Sequence, residues 1–423
     1  MLFLYRSLTN LIYPILIIII YYRILIKKED KLRFKEKIFF SNFKPKRDDK
    51  KKLIWFHAAS LGEAQSIFPI IQSLSKRKDL EFLITTVTVS AGNLIKQKQD
   101  QLPNTIHRYF PLDVNFLVKR FIKKWRPHAV IFVDSEIWPN FLMEIKRKNI
   151  PSIIINGRIT PKTFKRWSLV PNFAKKIFSI FTLCLASSNE SKEYFSKLNV
   201  KNLKYLGNIK LASNMKFEFI KNENEVLINK KSFWCAASTH KGEEEFCLRT
   251  HLILKKKCNN LLTIIIPRHV DRSKKIFELC LQLNLKTQVL NEKDLIKEDK
   301  EVVIINHFGA LQKYFKYANS VFIGKSLLKK LQFKGGQNPI EAAKLGCKIY
   351  HGPYVYNFRE VYELLSEYKI SNQISSETQL AENLFNDLKE TKKDDNKITE
   401  QINSLGKKVL NENIKEIENI LDV

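Results

Sequence analysis

The sequence predicts an α/β protein with two Rossmann-like, doubly wound domains behind one apolar N-terminal helix. Three observations support this fold class. Short apolar runs alternate with helical patterns from Leu53 to about Lys210, and the same alternation begins again at Ser232, as in parallel sheets with crossover helices. The length of 423 residues suits two cores of about 150 to 200 residues each. A separate apolar stretch precedes both series.

The N-terminal segment is the clearest compositional break in the chain. Residues 11–26 are apolar except for Arg23, and a basic run from Lys27 to Arg33 follows. The uncharged stretch between Arg6 and Arg23 is slightly shorter than the roughly 20 residues that a straight transmembrane helix needs. We therefore assign residues 1–43 to an anchor with a basic flank on the cytoplasmic side, either spanning the membrane or lying in its interface. The alternative is a buried core helix.

The body of the chain divides into two halves. We assign residues 44–213, which open with the charged segment Lys44–Lys52, to the first domain, 214–231 to a polar linker, and 232–423 to the second domain. Both halves place Ala-Ala-Ser after an aromatic-rich strand, with Gly-Glu a few residues later, which favours architectural repetition. The strands predicted from apolar runs are LIWFHA, EFLITTVT, HAVIFVD and PSIIING in the first half, and SFWCAAS, LLTIIIPRH, KTQVL, EVVIIN, SVFIG and CKIYHG in the second.

The composition bounds the possible partners. The formal charge is +30, from 73 Lys and Arg against 43 Asp and Glu, which predicts an anionic partner such as nucleic acid, anionic lipid or an acidic substrate. An AT-rich genome would produce the same bias toward lysine, isoleucine and asparagine without any binding role. The six cysteines show neither a C-x-x-C pair nor zinc spacing with histidine, so they predict buried thiols in a reducing compartment and no metal site.

Glu63 follows the first strand of the first half and has two interpretations. Ser60 and Glu63 form the S-x-x-E pattern of a capping box, which would satisfy backbone amides of the first helical turn. Ligands of open α/β sheets, however, bind at the carboxyl ends of the strands. A carboxylate at a helix N-terminus would stay ionised there, as a general base must. The spacing alone leaves both interpretations open.

Two further acids end a later strand of the first half. Asp134 and Glu136 follow the run VIFV, and strand alternation would place both on one face, where they could share a site. Solvated loop residues are the alternative. Lys210, in the segment LGNIK that closes this half, has no role that its pattern alone would indicate. His57, His240 and His269 are not spaced as a metal site, and we interpret each as a hydrogen-bonded turn residue.

The second half offers two candidate anion contacts. Arg268 follows a buried strand, and its guanidinium suits a phosphate or a carboxylate. In KGGQNPIEAAKLG, Gly335 and Gly336 precede a predicted helix with Asn338 as cap, Pro339 at the first helical position and Glu341 completing an N-x-x-E box. Bare amides behind two glycines would cradle an anion. A purely structural cap is the alternative, and no dinucleotide or ATP fingerprint is present.

Taken in order, these segments resemble the bacterial transferases of 3-deoxy-D-manno-oct-2-ulosonic acid (Kdo). The resemblance covers nearly the whole chain and includes the anchor and the motifs HAASLGE, YFPLDV, SEIWPN, NGRIT, LGNIK, STHKGEEE, PRH, GGQNPIEAA and HGPYVYNF. It implies the GT-B glycosyltransferase architecture of two facing Rossmann-like domains. The implied reaction moves Kdo from CMP-Kdo to the lipid A precursor (lipid IVA) in lipopolysaccharide biosynthesis, on the cytoplasmic side of the bacterial inner membrane. It would be inverting, with no metal and no cofactor.

The resemblance also implies roles for individual residues. Glu63 would be the general base, and Asp134 and Lys210 would stabilise the transition state. The segments that would contact CMP in the second half are Pro267 and Arg268, then Phe308, Gly309 and Ala310, and finally Asn338, Pro339, Ile340 and Glu341.

Four positions depart from the pattern of these transferases. Glutamate is usual at positions 134 and 310, histidine at 337 and a second glycine at 325, where this chain has Asp134, Ala310, Gln337 and Lys325. Asp134 keeps the charge on a shorter side chain. Ala310 removes a side-chain contact with CMP, so only backbone amides could act there. The loop before the two glycines is also longer than usual.

Two other functions remain open at this level. The chain could be a GT-B transferase of another nucleotide sugar, such as a UDP-hexose. It could also be a non-catalytic basic protein that binds a membrane or a nucleic acid, although the absence of an RNA-binding motif means that no nucleic acid is expected.

Overall fold

The protein is described by a computed structural model that covers residues 1–39, 47–212, 221–389 and 396–422. It divides into two compact units, of which unit 1 comprises Met1–Asn214 with Leu405–Val423 and unit 2 comprises Met215–Ser404. Residues 44–46 of the charged segment and residues 214–220 of the expected linker lie outside the described residues.

Unit 1 is built on a parallel sheet of seven strands. The strands are β1 (Lys52–His57), β2 (Leu80–Thr86), β3 (Thr105–Tyr109), β4 (Ala129–Val133), β5 (Ser152–Gly157), β6 (Leu183–Ala186) and β7 (Leu203–Tyr205). Their order is β3-β2-β1-β4-β5-β6-β7, so the chain reverses its direction across the sheet between β1 and β4. All four strands predicted in this half are confirmed, whereas β3, β6 and β7 were not predicted because their apolar runs are short or mixed with polar residues.

Helices cover both faces of this sheet. They are α1 (Leu2–Leu25), α2 (Lys35–Ile38), α3 (Leu61–Leu74), α4 (Val89–Gln97), α5 (Asn115–Trp125), α6 (Pro139–Arg147), α7 (Pro161–Ser168), α8 (Pro171–Phe178) and α9 (Asn189–Lys197). Strand β1 shows why this arrangement is stable. Ile54 and Phe56 belong to the apolar cluster on one face, and Leu53 and Trp55 belong to the cluster on the other. A strand that is apolar on both sides must be covered on both sides.

Unit 2 repeats the architecture. Its strands are β8 (Ser232–Thr239), β9 (Leu261–Pro267), β10 (Thr287–Leu290), β11 (Val302–Ile305), β12 (Ser320–Ile323), β13 (Lys348–His351) and β14 (Ser371–Gln373), in the order β10-β11-β9-β8-β12-β13-β14. The six predicted strands are confirmed, and polar β14 was not predicted. Its helices are α10 (Glu225–Asn229), α11 (Glu243–Lys255), α12 (Ser273–Gln282), α13 (Leu311–Phe315), α14 (Ile340–Lys344), α15 (Arg359–Glu367) and α16 (Glu377–Lys389). The last helix, α17 (Asn396–Leu421), begins in unit 2 and continues into unit 1.

The C-terminal helix corrects the expected domain boundary. We expected residues 232–423 to form one domain, but the chain from Leu405 onward belongs to unit 1. The reason is hydrophobic burial, because Val409 and Ile417 on one side of α17 join the same apolar cluster as Ile209 and strand β1. An ion pair of 2.7 Å between Lys204 and Glu416 lies beside this contact.

Helix α1 lies along unit 1 rather than in its core. Its inner face contacts the unit along its length, where Tyr5 Oη donates to Asp113 Oδ2 at 2.7 Å and Arg6 Nε donates to Asn140 Oδ1 at 3.3 Å. Ile20, the one buried residue of α1, packs against Phe34. The interpretation of α1 as a buried core helix is therefore wrong. The helix is long and apolar enough to cross a membrane, by length and composition.

Candidate active site

Glu63 lies at the carboxyl edge of the unit 1 sheet, as the third residue of α3, which follows β1 after a short turn. Its Oε2 accepts a hydrogen bond from the backbone N–H of Ala59 at 2.7 Å, and its Oε1 accepts one from the Ser60 hydroxyl at 2.6 Å. Ser60 is the N-cap of α3, and its Oγ accepts from the N–H of Glu63. The serine half of the predicted capping box is therefore confirmed, whereas the Glu63 carboxylate binds the amide of Ala59, one residue before the N-cap. The cap holds both carboxylate oxygens of Glu63 in one orientation.

Asp134 follows β4 on the other side of the point where the sheet reverses. Its Oδ2 accepts from the Lys210 ammonium at 2.9 Å, and the Asn156 side-chain amide donates to its Oδ1. Lys210 comes from a 3-10 helix, Ile209–Ala212, which packs against α3 and so brings it beside the helix that carries Glu63. The amide oxygen of Asn156 is buried and has no hydrogen-bond partner among the described residues. Asn156 thus orients Asp134, a contact that sequence reasoning missed.

We had predicted from strand alternation that Asp134 and Glu136 lie on one face of a strand. The structure corrects this prediction, because the two acids bind different partners. Strand β4 ends at Val133, and Asp134 has a left-handed backbone with φ of 58°. The alternation of side chains therefore stops before these acids. Glu136 accepts from the Trp138 indole N–H at 2.8 Å and lies 3.2 Å from Nε2 of His57.

We had interpreted His57 as a hydrogen-bonded turn residue, and this interpretation is wrong. His57 is the last residue of β1, fully buried, and its ring stacks on Phe110 with the centroids 3.7 Å apart. Its Nδ1 faces the hydroxyl of Thr85 at 3.0 Å. His57 therefore connects the core of unit 1 to the carboxylate of Glu136. No local spacing in the sequence indicates this contact.

The electrostatic environment changes the expected ionisation of Glu63. Burial is the largest effect and raises the pKa of the Glu63 carboxyl above its usual value, and the nearby charges of Asp134 and Glu136 raise it further. The hydrogen bonds from Ser60 and Ala59 act in the opposite direction. We expected the helix N-terminus to keep this group readily ionised, so the direction of the pKa shift corrects that expectation. A higher pKa makes the carboxylate a stronger proton acceptor.

Two of the segments predicted to bind the donor, Pro267–Arg268 and residues 308–310, lie at the carboxyl edge of the unit 2 sheet. Pro267 ends β9, and the exposed Arg268 follows, its backbone N–H bonded to a carbonyl at the end of β8. Phe308 is 77% exposed in the turn after β11, and a Cβ on Gly309 would meet no atom within 4 Å. Ala310 is buried, which leaves its backbone rather than its methyl group to take part in any contact there.

We had predicted that the amides behind Gly335 and Gly336 bind an anion. In the structure, the amides of both glycines bind backbone carbonyls instead. The N–H of Gly335 donates to the Leu331 carbonyl at 2.6 Å, and the N–H of Gly336 donates to the Lys325 carbonyl at 2.7 Å. These two amides are therefore already used by the protein. A side chain on Gly335 would overlap the carbonyl oxygen of Tyr354. Glycine is needed here because two backbone segments approach each other closely.

The segment after the double glycine also differs from the predicted cap. Helix α14 begins at Ile340 rather than at Pro339 and has only five residues. Asn338 Oδ1 accepts from the N–H of Ile340 at 3.1 Å, so Asn338 does cap the turn. Glu341 does not complete the N-x-x-E box and instead bonds to the side chain of Gln312, while burial, the larger effect, raises its pKa.

The structure thus groups the predicted residues by unit. Glu63, Asp134 and Lys210 meet at the carboxyl edge of the unit 1 sheet, although they come from three distant parts of the chain. The candidates for donor binding, Pro267, Arg268, residues 308–310 and residues 338–341, all follow strands β9, β11 or β12 at the carboxyl edge of the unit 2 sheet.

Two parallel Rossmann-like sheets of seven strands each give this chain the GT-B fold, in which ligands bind at the carboxyl edges of the strands. The solved structure of a glycosyltransferase from Rickettsia africae ESF-5 has this fold. It covers 88% of this chain and 99% of its own, with a TM-score of 0.57 at 12% sequence identity. A likeness at this level of identity shows the fold alone.

Sequence comparison then gives the family. Residues 32–213 match the family model described as 3-deoxy-D-manno-octulosonic-acid transferase (kdotransferase). The 3-deoxy-D-manno-octulosonic acid transferase of Rickettsia bellii (strain RML369-C) is 30% identical over 383 residues, which are 89% of this chain and 88% of that protein. A probable mitochondrial transferase of the same description from Arabidopsis thaliana is 32% identical over 331 residues, 74% of this chain and 72% of that protein. The chain belongs to the Kdo transferase family of glycosyltransferases.

Proposed function

We propose that this enzyme transfers Kdo from CMP-Kdo to a hydroxyl group of the lipid A precursor lipid IVA, with Glu63 as general base. The observation that carries the proposal is the meeting of Glu63, Asp134 and Lys210 at the point where the unit 1 sheet reverses its strand order. Open α/β sheets bind their ligands at this position. The donor assignment rests on the family to which the chain belongs.

On the acceptor side, Glu63 removes the proton of the attacking hydroxyl. The raised pKa of its carboxyl brings its basicity closer to that of a base working near neutral pH. The cap from Ser60 and Ala59 holds the carboxylate in one orientation and so lowers the entropic cost of reaching the acceptor hydroxyl. Lys210, fixed by Asp134, places a positive charge beside the reacting centre, where it stabilises negative charge that develops in the transition state.

The transfer is a direct displacement with inversion. The acceptor oxygen forms a bond to the anomeric carbon of Kdo, and the bond from that carbon to the phosphate oxygen of CMP breaks. The electron pair leaves with CMP, and the acceptor proton goes to the Glu63 carboxylate. In the proposal, Arg268, the amides of residues 308–310 and the turn at 338–341 bind CMP, and neither a metal ion nor a cofactor takes part.

A membrane-bound acceptor is supported by the position of α1. The helix docks through Asp113, which follows β3, and Asn140, which follows β4, so it lies at the same sheet edge as Glu63. Its outer face is apolar, with Phe3 84% and Leu11 76% exposed. We propose that this face lies in the cytoplasmic interface of the inner membrane, because its inner face is occupied by unit 1. A lipid in that leaflet would then present its sugar to the catalytic edge.

The proposal is tested by incubating the full-length enzyme with CMP-Kdo and tetra-acylated lipid IVA and measuring the product mass. We expect a mass increase of one or more Kdo residues, unchanged by a chelator. Competition by CMP but not by UDP separates this donor from other nucleotide sugars. Glu63→Gln should slow transfer by about 10²- to 10⁴-fold, whereas Glu190→Gln, in the first turn of α9, should leave the rate unchanged. Transfer from a UDP-sugar instead of CMP-Kdo would refute the proposed donor.

A further inference from the structure

Unit 2 has its own point where the strand order reverses, between β8 and β12. His240 follows β8 and Lys325 follows β12, so these two residues flank that point, as Glu63 and Asp134 flank the corresponding point of unit 1. We call the space between the ends of β8 and β12, next to His240 and Lys325, the corner. Gly324 makes this corner narrow, because a side chain on Gly324 would come within 2.6 Å of the Ser238 carbonyl oxygen. A ligand of this sheet is expected at this position.

The buried carboxylate of Glu243 accepts hydrogen bonds from the segment after β8 and from the segment after β12. Glu243 is fully buried and accepts from the backbone N–H groups of His240 at 3.0 Å and of Lys325 at 2.6 Å. The next two amides, those of Ser326 and Leu327, donate to its other oxygen at 2.7 and 3.1 Å. Glu243 therefore fixes the backbone from which the Lys325 side chain extends.

Groups of both signs lie at this corner: the Glu243 carboxylate, whose two oxygens accept from backbone amides, and the side chains of Lys325, His240 and His269. The rings of His240 and His269 lie 5.8 Å apart, and Lys325 is close enough to His240 to affect its ionisation. Burial is the largest cause of the lowered pKa of His240. The hydrogen bond with Ser238 and the charge of Glu243 act in the opposite direction, and Lys325 and His269 lower the pKa further. His240 Nδ1 lies 3.1 Å from the carbonyl oxygen of Ser238, so a neutral ring that donates there has no proton on Nε2. A lysine side chain is ordinarily a cation near neutral pH, so Lys325 is the residue at this corner that suits a phosphate.

Lys325 is also joined to the predicted donor segment. Its carbonyl accepts the N–H of Gly336, two residues before Asn338. Its backbone has a left-handed conformation with φ of 61°, which glycine adopts without strain and lysine does not. A lysine at this position therefore brings a charged side chain to the corner at a conformational cost.

We propose that Lys325 binds the phosphate group of the nucleotide donor, with Glu243 as its positioning residue. This inference rests on the proposed function for the identity of the nucleotide. When the bond from the anomeric carbon to the phosphate oxygen breaks, CMP leaves with one additional negative charge, which the ammonium group of Lys325 stabilises. The contact involves the phosphate and not the cytidine.

The test is the substitution Lys325→Gly in the full-length protein. Glycine fits the left-handed backbone, so the variant should unfold close to the wild-type temperature. Lys369→Gly is the matched control, because Lys369 has nearly the same backbone φ of 59° and follows α15, away from the carboxyl edge of the sheet. The affinities of all three proteins for CMP and for cytidine are measured by calorimetry, together with the KM for CMP-Kdo.

We expect Lys325→Gly to weaken CMP binding by about 10- to 100-fold and to leave cytidine binding unchanged. Lys369→Gly should change neither affinity. Wild-type affinity for CMP in Lys325→Gly would overturn the proposal, as would an equal loss for cytidine, which would indicate an altered pocket rather than a lost phosphate contact.

The same measurements separate this proposal from the proposed function. A wild-type enzyme that does not use CMP-Kdo but loses CMP or UMP affinity on Lys325→Gly would refute the proposed function and support the phosphate contact. An enzyme that transfers Kdo, and whose Lys325→Gly variant binds CMP normally, would refute the contact alone. A wild-type protein that binds neither CMP nor UMP would refute both.

Discussion

Replacing Glu63 by glutamine removes the proposed base while keeping the shape of the side chain. The amide oxygen of glutamine can still accept from the Ala59 N–H, and its NH₂ group can donate to the Ser60 oxygen, so the cap of α3 should persist. What is lost is a group that can accept a proton. Loss of a general base reduces rates by about 10²- to 10⁴-fold, or about 3 to 5 kcal/mol of transition-state stabilisation.

The stability of this variant should depend on pH in a defined direction. The pKa of the Glu63 carboxyl is raised on folding, so the group favours the folded state below its unfolded pKa, and this contribution is lost as pH rises through the folded pKa. Glu63→Gln should therefore be at least as stable as the wild type at pH 8. Its advantage should diminish as the pH falls toward 4 and below, where the wild-type carboxyl becomes neutral in both the folded and the unfolded state. Thermal unfolding at the two pH values measures this difference.

The kinetic assay is the initial rate of Kdo transfer to lipid IVA as a function of pH. The wild-type rate should rise with pH through the raised pKa of Glu63, and this limb should be absent in Glu63→Gln. Asp134→Asn removes one cause of the raised pKa, so its acidic limb should move to lower pH. A folded Glu63→Gln variant with transfer within about tenfold of the wild type would refute the assignment of the base.

Three further predictions concern contacts seen in the structure. Asp134→Asn and Lys210→Met should show a coupling of about 1 to 2 kcal/mol in a double-mutant cycle on kcat/KM, because the two side chains form one ion pair; additive effects would contradict this. Glu243→Gln should lower the free energy of unfolding by about 3 kcal/mol in urea titrations and raise the KM for the donor, since four backbone amides lose their carboxylate. Gly335→Ala should destabilise the protein by about 1 to 3 kcal/mol, because its methyl group would overlap the Tyr354 carbonyl oxygen. Gly62→Ala is the control and should not destabilise the protein, because Gly62 has open space around it in α3. Similar melting temperatures for the two variants would contradict the predicted overlap at Gly335.

The local features of this protein could be predicted from the sequence. The ten predicted strands follow mostly from apolar runs, because a central strand of a parallel sheet is buried on both faces; the half-buried edge strand β10 is the exception. The cap that joins Ser60 to Glu63 involves neighbours only three residues apart, so its pattern is complete within one turn. The resemblance to Kdo transferases likewise depends on short motifs taken in order.

The contacts between distant residues were decided by the tertiary structure. Lys210 meets Asp134 across 76 positions of the chain, and α17 returns to unit 1 after the whole of unit 2. The left-handed backbone of Asp134 ends the strand alternation from which we had placed Glu136. The amides of the double glycine are used by other backbone segments, and the raised pKa of Glu63 depends on burial and on acids that follow another strand. These features depend on the order of the strands in the sheet, and no local pattern of residues encodes that order.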